Sequence, residues 1–404
     1  MIYFDNNATT PIDPEVARCL YRQSLEGPQN ASSQHHPGRT SRHRFDAAAT
    51  RIGVLLGTNL EAVHGSRLIV TSGGTEANQI ALHGLVDPSL PLWISRIEHP
   101  SILQLAEHLQ SGGRRVYWIG VDANGVVDVD QLQSMMLENL QPSESLASPE
   151  SLGPEVLPVR RVVRGLLSVM LANNETGVLQ PIDRIVPLAR RAGLVVHTDA
   201  TQWIGKLPFD FDRAAVDAVT FSGHKFHAPC GIGGLLLGRG QSLRPQWFGG
   251  GQQLGSRPGT EPIALLVAMA EGLEIAHQRM EESASHMLRL RNRFEQQLRA
   301  GAPEIVIHGA QVPRLANTSL ISFPAVDRQT MFMRLDRGGL ACSTGSACAS
   351  GSSQPSHVLV AMGAGKDLIE GALRFSLSRF STVSEVDQAT ELILASYHKL
   401  KAQN

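Results

Sequence analysis

The chain has 404 residues, with 36 Lys+Arg against 37 Asp+Glu and a formal net charge of −1. That balance supplies no global electrostatic drive toward nucleic acid or an anionic membrane, and 42% hydrophobic with 18% charged residues is the composition of a globular protein able to build a large core. Four cysteines without paired CxxC spacing argue against a disulfide scaffold or structural zinc, and no run approaches the roughly 18 uncharged apolar residues of a membrane helix. The first residues, MIYFDNNATTPIDPEV, have neither a basic nor an apolar leader region, so a cytoplasmic location with reduced thiols is expected.

Taken in chain order, Arg67–Thr71 reads as a strand that runs through Ser72-Gly73-Gly74-Thr75 into a helix from Glu76 to Leu85. Leu92–Ser95 is a second strand, followed after His99 by a helical pattern over Ser101–Leu109. Val116–Ile119, Leu166–Leu171, Leu194–His197, Ala218–Phe221 and Ile232–Leu237 continue the series. Strands separated by helices predict an α/β fold with a mainly parallel, doubly wound sheet whose ligand crevice lies at the strand carboxyl ends. Gln141–Pro158 is Ser/Pro/Glu-rich without periodicity and reads as a solvated loop.

A long helical pattern over residues 261–298 reads as a connector between domains. It is followed by a strand at Thr318–Phe323, a helix at Arg328–Arg337, a Ser/Gly/Ala-rich loop and a strand at Ala372–Leu377. The last helix opens on Thr382-x-x-Glu385, a capping box, and sets Val386, Ala389, Ile393, Tyr397 and Leu400 on one face. The expected division is a large domain over 16–261 and a smaller α+β domain from 1–15 and 262–404.

The sharpest chemical cluster is His197-Thr-Asp199-Ala-Thr-Gln202 followed by Ser222-Gly-His224-Lys225. Asp199 and Lys225 each fall just after an apolar strand. A lysine and a carboxylate so placed suit pyridoxal phosphate, the lysine as Schiff-base amine and the acid as partner of the pyridinium nitrogen. Two other readings stay open on these residues alone: a surface ion pair, and a metal set from His197, Asp199, His224 and His227, in which the lysine charge would be unhelpful.

With these residues in view, the sequence resembles the cysteine desulfurases of the NifS type, in the class V aminotransferase group of fold-type I pyridoxal phosphate enzymes. The likeness runs through Tyr3-Phe-Asp-Asn-Asn-Ala-Thr-Thr-Pro11, Asn30-Ala-Ser-Ser33, Thr71-Ser-Gly-Gly-Thr-Glu-Ala-Asn78, Glu98-His99-Pro-Ser101 and Asn173-Asn-Glu-Thr-Gly177. It continues through the two blocks above to Gly249-Gly-Gly-Gln252, Arg257-Pro-Gly-Thr260, Gly345-Ser-Ala-Cys348 and Ala372-Leu-Arg-Phe-Ser376. Each motif alone is weak. Their shared order over almost the whole chain is specific.

The resemblance implies pyridoxal 5'-phosphate as cofactor, L-cysteine as substrate and Lys225, His99 and Cys348 as catalytic residues. It implies a phosphate cradle from Gly74, Thr75, Ser222 and His224, with Thr260 reaching it from a second subunit of a homodimer. Backbone N–H groups at a helix start after a strand suit such an anion on physical grounds as well. Asn174 and Gln202 would hydrogen-bond ring oxygen or substrate, Asp199 the ring nitrogen, and Arg374 the substrate carboxylate with its planar fork. His99 would stack on the ring and shuttle protons.

Cys348, in a stretch of small residues, would take sulfur as a persulfide and pass it to an acceptor protein such as an iron–sulfur scaffold. The loop length up to Pro355 resembles the longer-loop class. Cys342 reads as packing, and Cys19 and Cys230 have no chemical context. A selenocysteine lyase, another fold-type I aminotransferase and a non-catalytic binding homologue are the rival readings. Departures from the family pattern are Gln253-Leu254, Pro258, Cys230, Ala31, Gln354 and the long Gln141–Pro158 loop. None removes a group that the chemistry requires.

Overall fold

The computed structural model describes residues 1–62, 65–140, 163–345 and 355–403, so Cys348, Gln354 and the Gln141–Pro158 loop lie outside the described residues. In chain order, β1 (Ile2–Tyr3) precedes α1 (Pro14–Leu25) and α2 (His36–Leu55). Strand and helix then alternate: β2 (Arg67–Thr71), α3 (Gly74–Gly84), β3 (Leu92–Ser95), α4 (Pro100–Ser111), β4 (Val116–Ile119) and α5 (Val129–Asn139). Next come β5 (Gly165–Ser168), α6 (Ile182–Arg191), β6 (Leu194–Asp199), the single turn α7 (Phe211–Ala214), β7 (Ala218–Ser222) and β8 (Gly233–Leu237). Two long helices, α8 (Ile263–Gln278) and α9 (Met280–Gly301), lead to β9 (Val306–Ile307), β10 (Thr318–Ser322), α10 (Arg328–Arg337) and β11 (Leu340–Ala341). The chain closes with α11 (His357–Ala361), α12 (Lys366–Glu370), β12 (Ala372–Ser376) and α13 (Val383–Lys401).

Seven strands form one sheet in the order β2-β8-β7-β6-β5-β3-β4. The expected α/β architecture with a mainly parallel sheet is present. β8 alone runs antiparallel to its neighbours β2 and β7. The link from β7 to β8 is too short for the dozen or more residues that a parallel crossover needs, so the chain turns back. Because β2 and β7 both oppose β8, they point the same way. The carboxyl ends of β2, β3, β5, β6 and β7 therefore share one rim.

Alternate residues of these strands enter opposite cores, as a period of two requires. Leu167, Val196 and Val219 pack with Ile52 of α2, Ile185 of α6 and Leu266 and Met269 of α8. Leu166, Val195 and Leu235 pack with Ile80 of α3 and Leu105 of α4 on the other face. Burial on both faces is why these strands read as continuous apolar runs.

The pattern over 261–298 forms two helices rather than one, broken at Arg279 (φ −100°, ψ 9°). α8 is apolar on almost every side and joins the large core. α9 is amphipathic and joins a second core, with Leu290, Phe294 and Leu298 against α13 and β10. α8 thus packs with the large core and α9 with the second.

The second core lies on an antiparallel sheet, β12-β10-β9, covered by α9, α10 and α13. α13 begins with the expected reciprocal cap: Glu385 N–H donates to Thr382 Oγ1 (3.2 Å), and Thr382 N–H to Glu385 Oε2 (2.8 Å). The N-terminal segment ties the two regions together. β1 pairs with β11, Phe4 packs edge-on to Phe294 at 5.9 Å, and Thr10 N–H reaches His224 O at 3.0 Å on the rim of the large sheet. Among the described residues no helix is long and apolar enough to cross a membrane.

Candidate active site

A cavity of about 480 Å³ opens at that rim, between the strand ends and β12. At its floor Asp199 ends β6. Its Oδ1 accepts from Thr201 N–H and its Oδ2 from Asn78 Nδ2, both at 2.8 Å. Lys225 leaves β7 in a short helical turn, and its Nζ donates to the backbone oxygens of Asn7 (2.5 Å) and Ala8 (2.8 Å). No carboxylate among the described residues forms a salt bridge with it. Burial and the nearby Arg374 charge bring its amine down to about 8, against the opposing pull of Asp199 and Asp5.

The start of α3 forms the second wall. Gly73 precedes it and no side chain caps it, so backbone N–H groups of its first turn remain open. β8 comes close only because it carries glycine here: a Cβ on Gly233 would lie 2.7 Å from Phe221 O and 2.8 Å from Gly73 Cα. A Cβ on Gly74 would meet Thr201 Oγ1 at 3.1 Å. That hydroxyl is buried without a partner, facing the helix start. Thr75, Ser222 and His224 line the same end of the cavity. His224 is held down to about 4 by burial and the charges of Lys225 and Lys206, and its Nδ1 lies 3.1 Å from Thr9 Oγ1.

Above Asp199, His99 caps α4. Its Nδ1 accepts from Ser101 N–H at 3.2 Å and lies 2.8 Å from Ser101 Oγ. With Nδ1 an acceptor, the neutral ring carries its proton on Nε2. Burial holds its pKa below that of a free imidazole, more than Asp199 lifts it. Gln202 donates through Nε2 to Asn7 O at 3.0 Å. Asn174 presents a buried Oδ1 with no partner. Arg374, from β12, donates to Asp5 Oδ1 (2.7 Å) and Asn174 O (3.0 Å), and its buried Nε has no partner.

The cavity thus collects Gly74, Thr75, His99, Asn174, Asp199, Gln202, Ser222, His224, Lys225 and Arg374. Thr260 is exposed and not part of this wall. Cys348 lies outside the described residues, but the chain leading to it lines the cavity through Thr344 and Gly345. The chain beyond it returns at Ser356, whose hydroxyl donates to buried Glu175 at 2.5 Å. Cys342 is buried in the second core and also touches the cavity, and burial pushes its thiol pKa well up.

Sequence reasoning assigned no role to Asp5, Asn7, Asn78, Thr201, Glu175 or Lys206. The first five fall inside motifs that carried the resemblance, which was the available signal.

The orphan hydroxyl of Thr201, the uncapped start of α3, the orphan Asn174 Oδ1 and a lysine held only by carbonyls fit pyridoxal phosphate. The metal alternative is not assembled. His197 sits inside the sheet between Ser168 Oγ (2.9 Å) and Thr220 Oγ1 (3.0 Å), and His227 Nδ1 is bonded to Pro11 O (2.8 Å). Among the described residues no three His, Cys, Asp or Glu side chains converge as a metal set.

A lysine and a buried carboxylate at neighbouring strand ends, beside an open helix start, define a fold-type I pyridoxal phosphate protein. The aminotransferase class-V family matches residues 2–143 and 159–389, and the chain belongs to it. Within that family it groups with the cysteine desulfurases of the NifS type. A cysteine desulfurase of Trichormus azollae is 34% identical over 405 aligned residues, covering 100% of this chain and 94% of its own. The crystal structure of a NifS-like protein from Rickettsia africae superposes with a TM-score of 0.85 at 28% identity, covering 98% of this chain and 99% of the other. SspA in complex with cysteine matches with a TM-score of 0.75 at 26% identity, over 95% and 100% of the two chains.

Proposed function

We propose that this enzyme is a pyridoxal-phosphate-dependent cysteine desulfurase that converts L-cysteine to L-alanine and takes the sulfur onto Cys348 as a persulfide. The observation that carries the reading is the pairing of Lys225 and Asp199 at adjacent strand ends of one cavity whose far wall is the open start of α3.

When bound, pyridoxal phosphate supplies the electron sink for charge developing at the substrate α-carbon. Lys225 is the residue that would hold it covalently, and the first turn of α3 with Thr75, Thr201, Ser222 and His224 would receive its phosphate. Asp199 would hold a proton on the ring nitrogen of the bound group. Lys225, at the strand end beside Asp199, is placed to move the proton at the substrate α-carbon. The Nε2–H of His99, which lines the same cavity, can donate to a group bound there. Arg374 and Asn174 bind the substrate carboxylate, fixing the cysteine sulfur relative to the loop that begins at Gly345. The Cys348 thiolate attacks that sulfur, the sulfur–carbon bond breaks, and its electron pair passes to the substrate carbon.

Thr260 contributes from a second subunit of a homodimer. The exposed apolar side chains of Trp247, Phe248 and Leu254 on the segment leading to it support that assembly. The persulfide sulfur then passes to an acceptor protein, with an iron–sulfur scaffold as the proposed recipient, and the enzyme works in the cytoplasm.

The test incubates the purified protein with L-cysteine and pyridoxal phosphate, quantifies alanine and searches the Cys348 peptide for a persulfide. Lys225→Ala should abolish both products and Cys348→Ala should abolish sulfur release. Transamination of other amino acids without alanine formation from cysteine would replace this reading with an aminotransferase. A protein that takes up no cofactor would leave only a binding role.

A further inference from the structure

Lys206, in the turn after β6, belongs to no motif role above. Its Nζ donates to Gln202 Oε1 at 2.6 Å, and no carboxylate among the described residues forms a salt bridge with it. The charges nearest to it in effect are the cations Lys225 and Arg374, which together with burial bring its amine down to about 7. Behind it lies a small space shared with Asn6, Asn317, Arg379, His227 and Lys225. A lysine placed among cations costs stability, and such a cost persists where the side chain serves the site.

The hydrogen bonds around it form one chain. Lys206 Nζ donates to Gln202 Oε1, Gln202 Nε2 donates to Asn7 O, and Lys225 Nζ donates to the same Asn7 O at 2.5 Å. An amide can rotate end for end, exchanging its donor and its acceptor. With Lys206 protonated, a rotated Gln202 would set its NH₂ against an ammonium that cannot accept and its oxygen against a carbonyl oxygen. Lys206 therefore closes off that alternative and leaves the second Nε2–H of Gln202 for a group in the cavity.

We infer that Lys206 is a positioning residue that locks the Gln202 amide with its N–H toward the cavity, so that the site accepts a cofactor bearing an oxygen acceptor at that point. The inference rests on the reading of the cavity as a pyridoxal phosphate site. It concerns a residue that touches neither cofactor nor substrate and acts through Gln202.

The test uses full-length wild type, Lys206→Met, Lys206→Arg, Gln202→Leu and the Lys206→Met/Gln202→Leu double variant. Two quantities are read: the dissociation constant for pyridoxal phosphate, and the pH midpoint of the visible absorption band of the bound cofactor. Lys206→Met should weaken cofactor binding about tenfold and shift the midpoint. Lys206→Arg, which keeps a cationic donor, should stay nearer wild type. In the Gln202→Leu background the Lys206 change should add nothing, because both act through one amide. Should Lys206→Met not fold, Lys206→Gln takes its place in the same comparison.

Unchanged affinity and midpoint in Lys206→Met overturns the role, and so does an effect of equal size with and without Gln202. A wild type that takes up no pyridoxal phosphate overturns the cofactor reading and this inference with it. Wild-type binding with an unaffected Lys206→Met overturns the inference alone.

Discussion

The side-chain amide of Asn78 donates to Asp199 Oδ2 at 2.8 Å and to Ser101 Oγ at 2.9 Å. Ser101 Oγ in turn lies 2.8 Å from His99 Nδ1. One α3 side chain therefore braces the carboxylate on the cavity floor and the histidine above it.

Replacing Asn78 with Ala removes both donations and frees two groups that must keep fixed orientations. Turnover of L-cysteine should fall about 10- to 100-fold with the fold intact. Asn78→Asp should be worse, since a second carboxylate beside Asp199 disfavours the charged form of both. Alanine production and the spectrum of bound cofactor check the two variants together. Wild-type turnover in Asn78→Asp would show that Asp199 needs no brace.

Arg374 is held on two sides, by Asp5 and by Asn174 O, while its Nε remains without a partner. The ion pair does not use up the guanidinium; it aims the fork. Arg374→Lys keeps the positive charge beside Asp5 but loses the planar pair of donors. The KM for L-cysteine should rise about tenfold or more, with a smaller change in kcat. A steady-state series in L-cysteine measures this directly, and an unchanged KM would move carboxylate binding to another residue.

The sheet was legible because its strands are buried on both faces. Leu194–Val196 is apolar without interruption and Ala218–Phe221 is broken only by Thr220, and the loops after them hold the chemistry. The reversal of β8 was not legible from the run at Ile232–Leu237, because its direction follows from the length of the preceding link. The break at Arg279 was hidden because apolar residues continue at helical spacing on both sides of it, while the cores they enter differ. In the site, Asp199 and Lys225 stand out through their place after strands. Asp5, Asn7 and Lys206 do not, since their partners are Arg374, Lys225 and Gln202. The two longer of those pairings form only when the N-terminal segment crosses between the two cores.

Gln253, one of the departures from the family pattern, is bonded to the backbone of the large sheet. Its Oε1 accepts from Val70 N–H at 2.5 Å and its Nε2 donates to Val70 O at 3.0 Å. Val70 lies on β2, at the free edge of the large sheet, so one amide satisfies both backbone groups that a neighbouring strand would have bonded. A carboxylate could accept but not donate. Gln253→Glu should destabilise the protein by about 1–2 kcal/mol in urea unfolding, and a variant as stable as wild type would mean that water serves Val70 O equally well.

Glu98 is fully buried next to His99, accepting from Ser95 Oγ (2.9 Å) and Met170 N–H (2.8 Å) through one oxygen, while Oε2 has no partner. Burial foremost, then the charge of Asp199, raises its pKa from 4.5 to about 8. The unfolded chain loses this proton near 4.5 and the folded chain keeps it until about 8, so the folded state binds more protons between those values. Its contribution to stability is complete below 4.5 and is lost as pH rises to about 8. Glu98→Gln keeps the accepting oxygen and cannot ionise, so that slope disappears. The variant should come close to wild type near pH 5 and exceed it by on the order of 4 kcal/mol near pH 8. Denaturant unfolding at several pH values between these limits measures the difference, and parallel curves for the two proteins would mean that Glu98 is already ionised inside the fold.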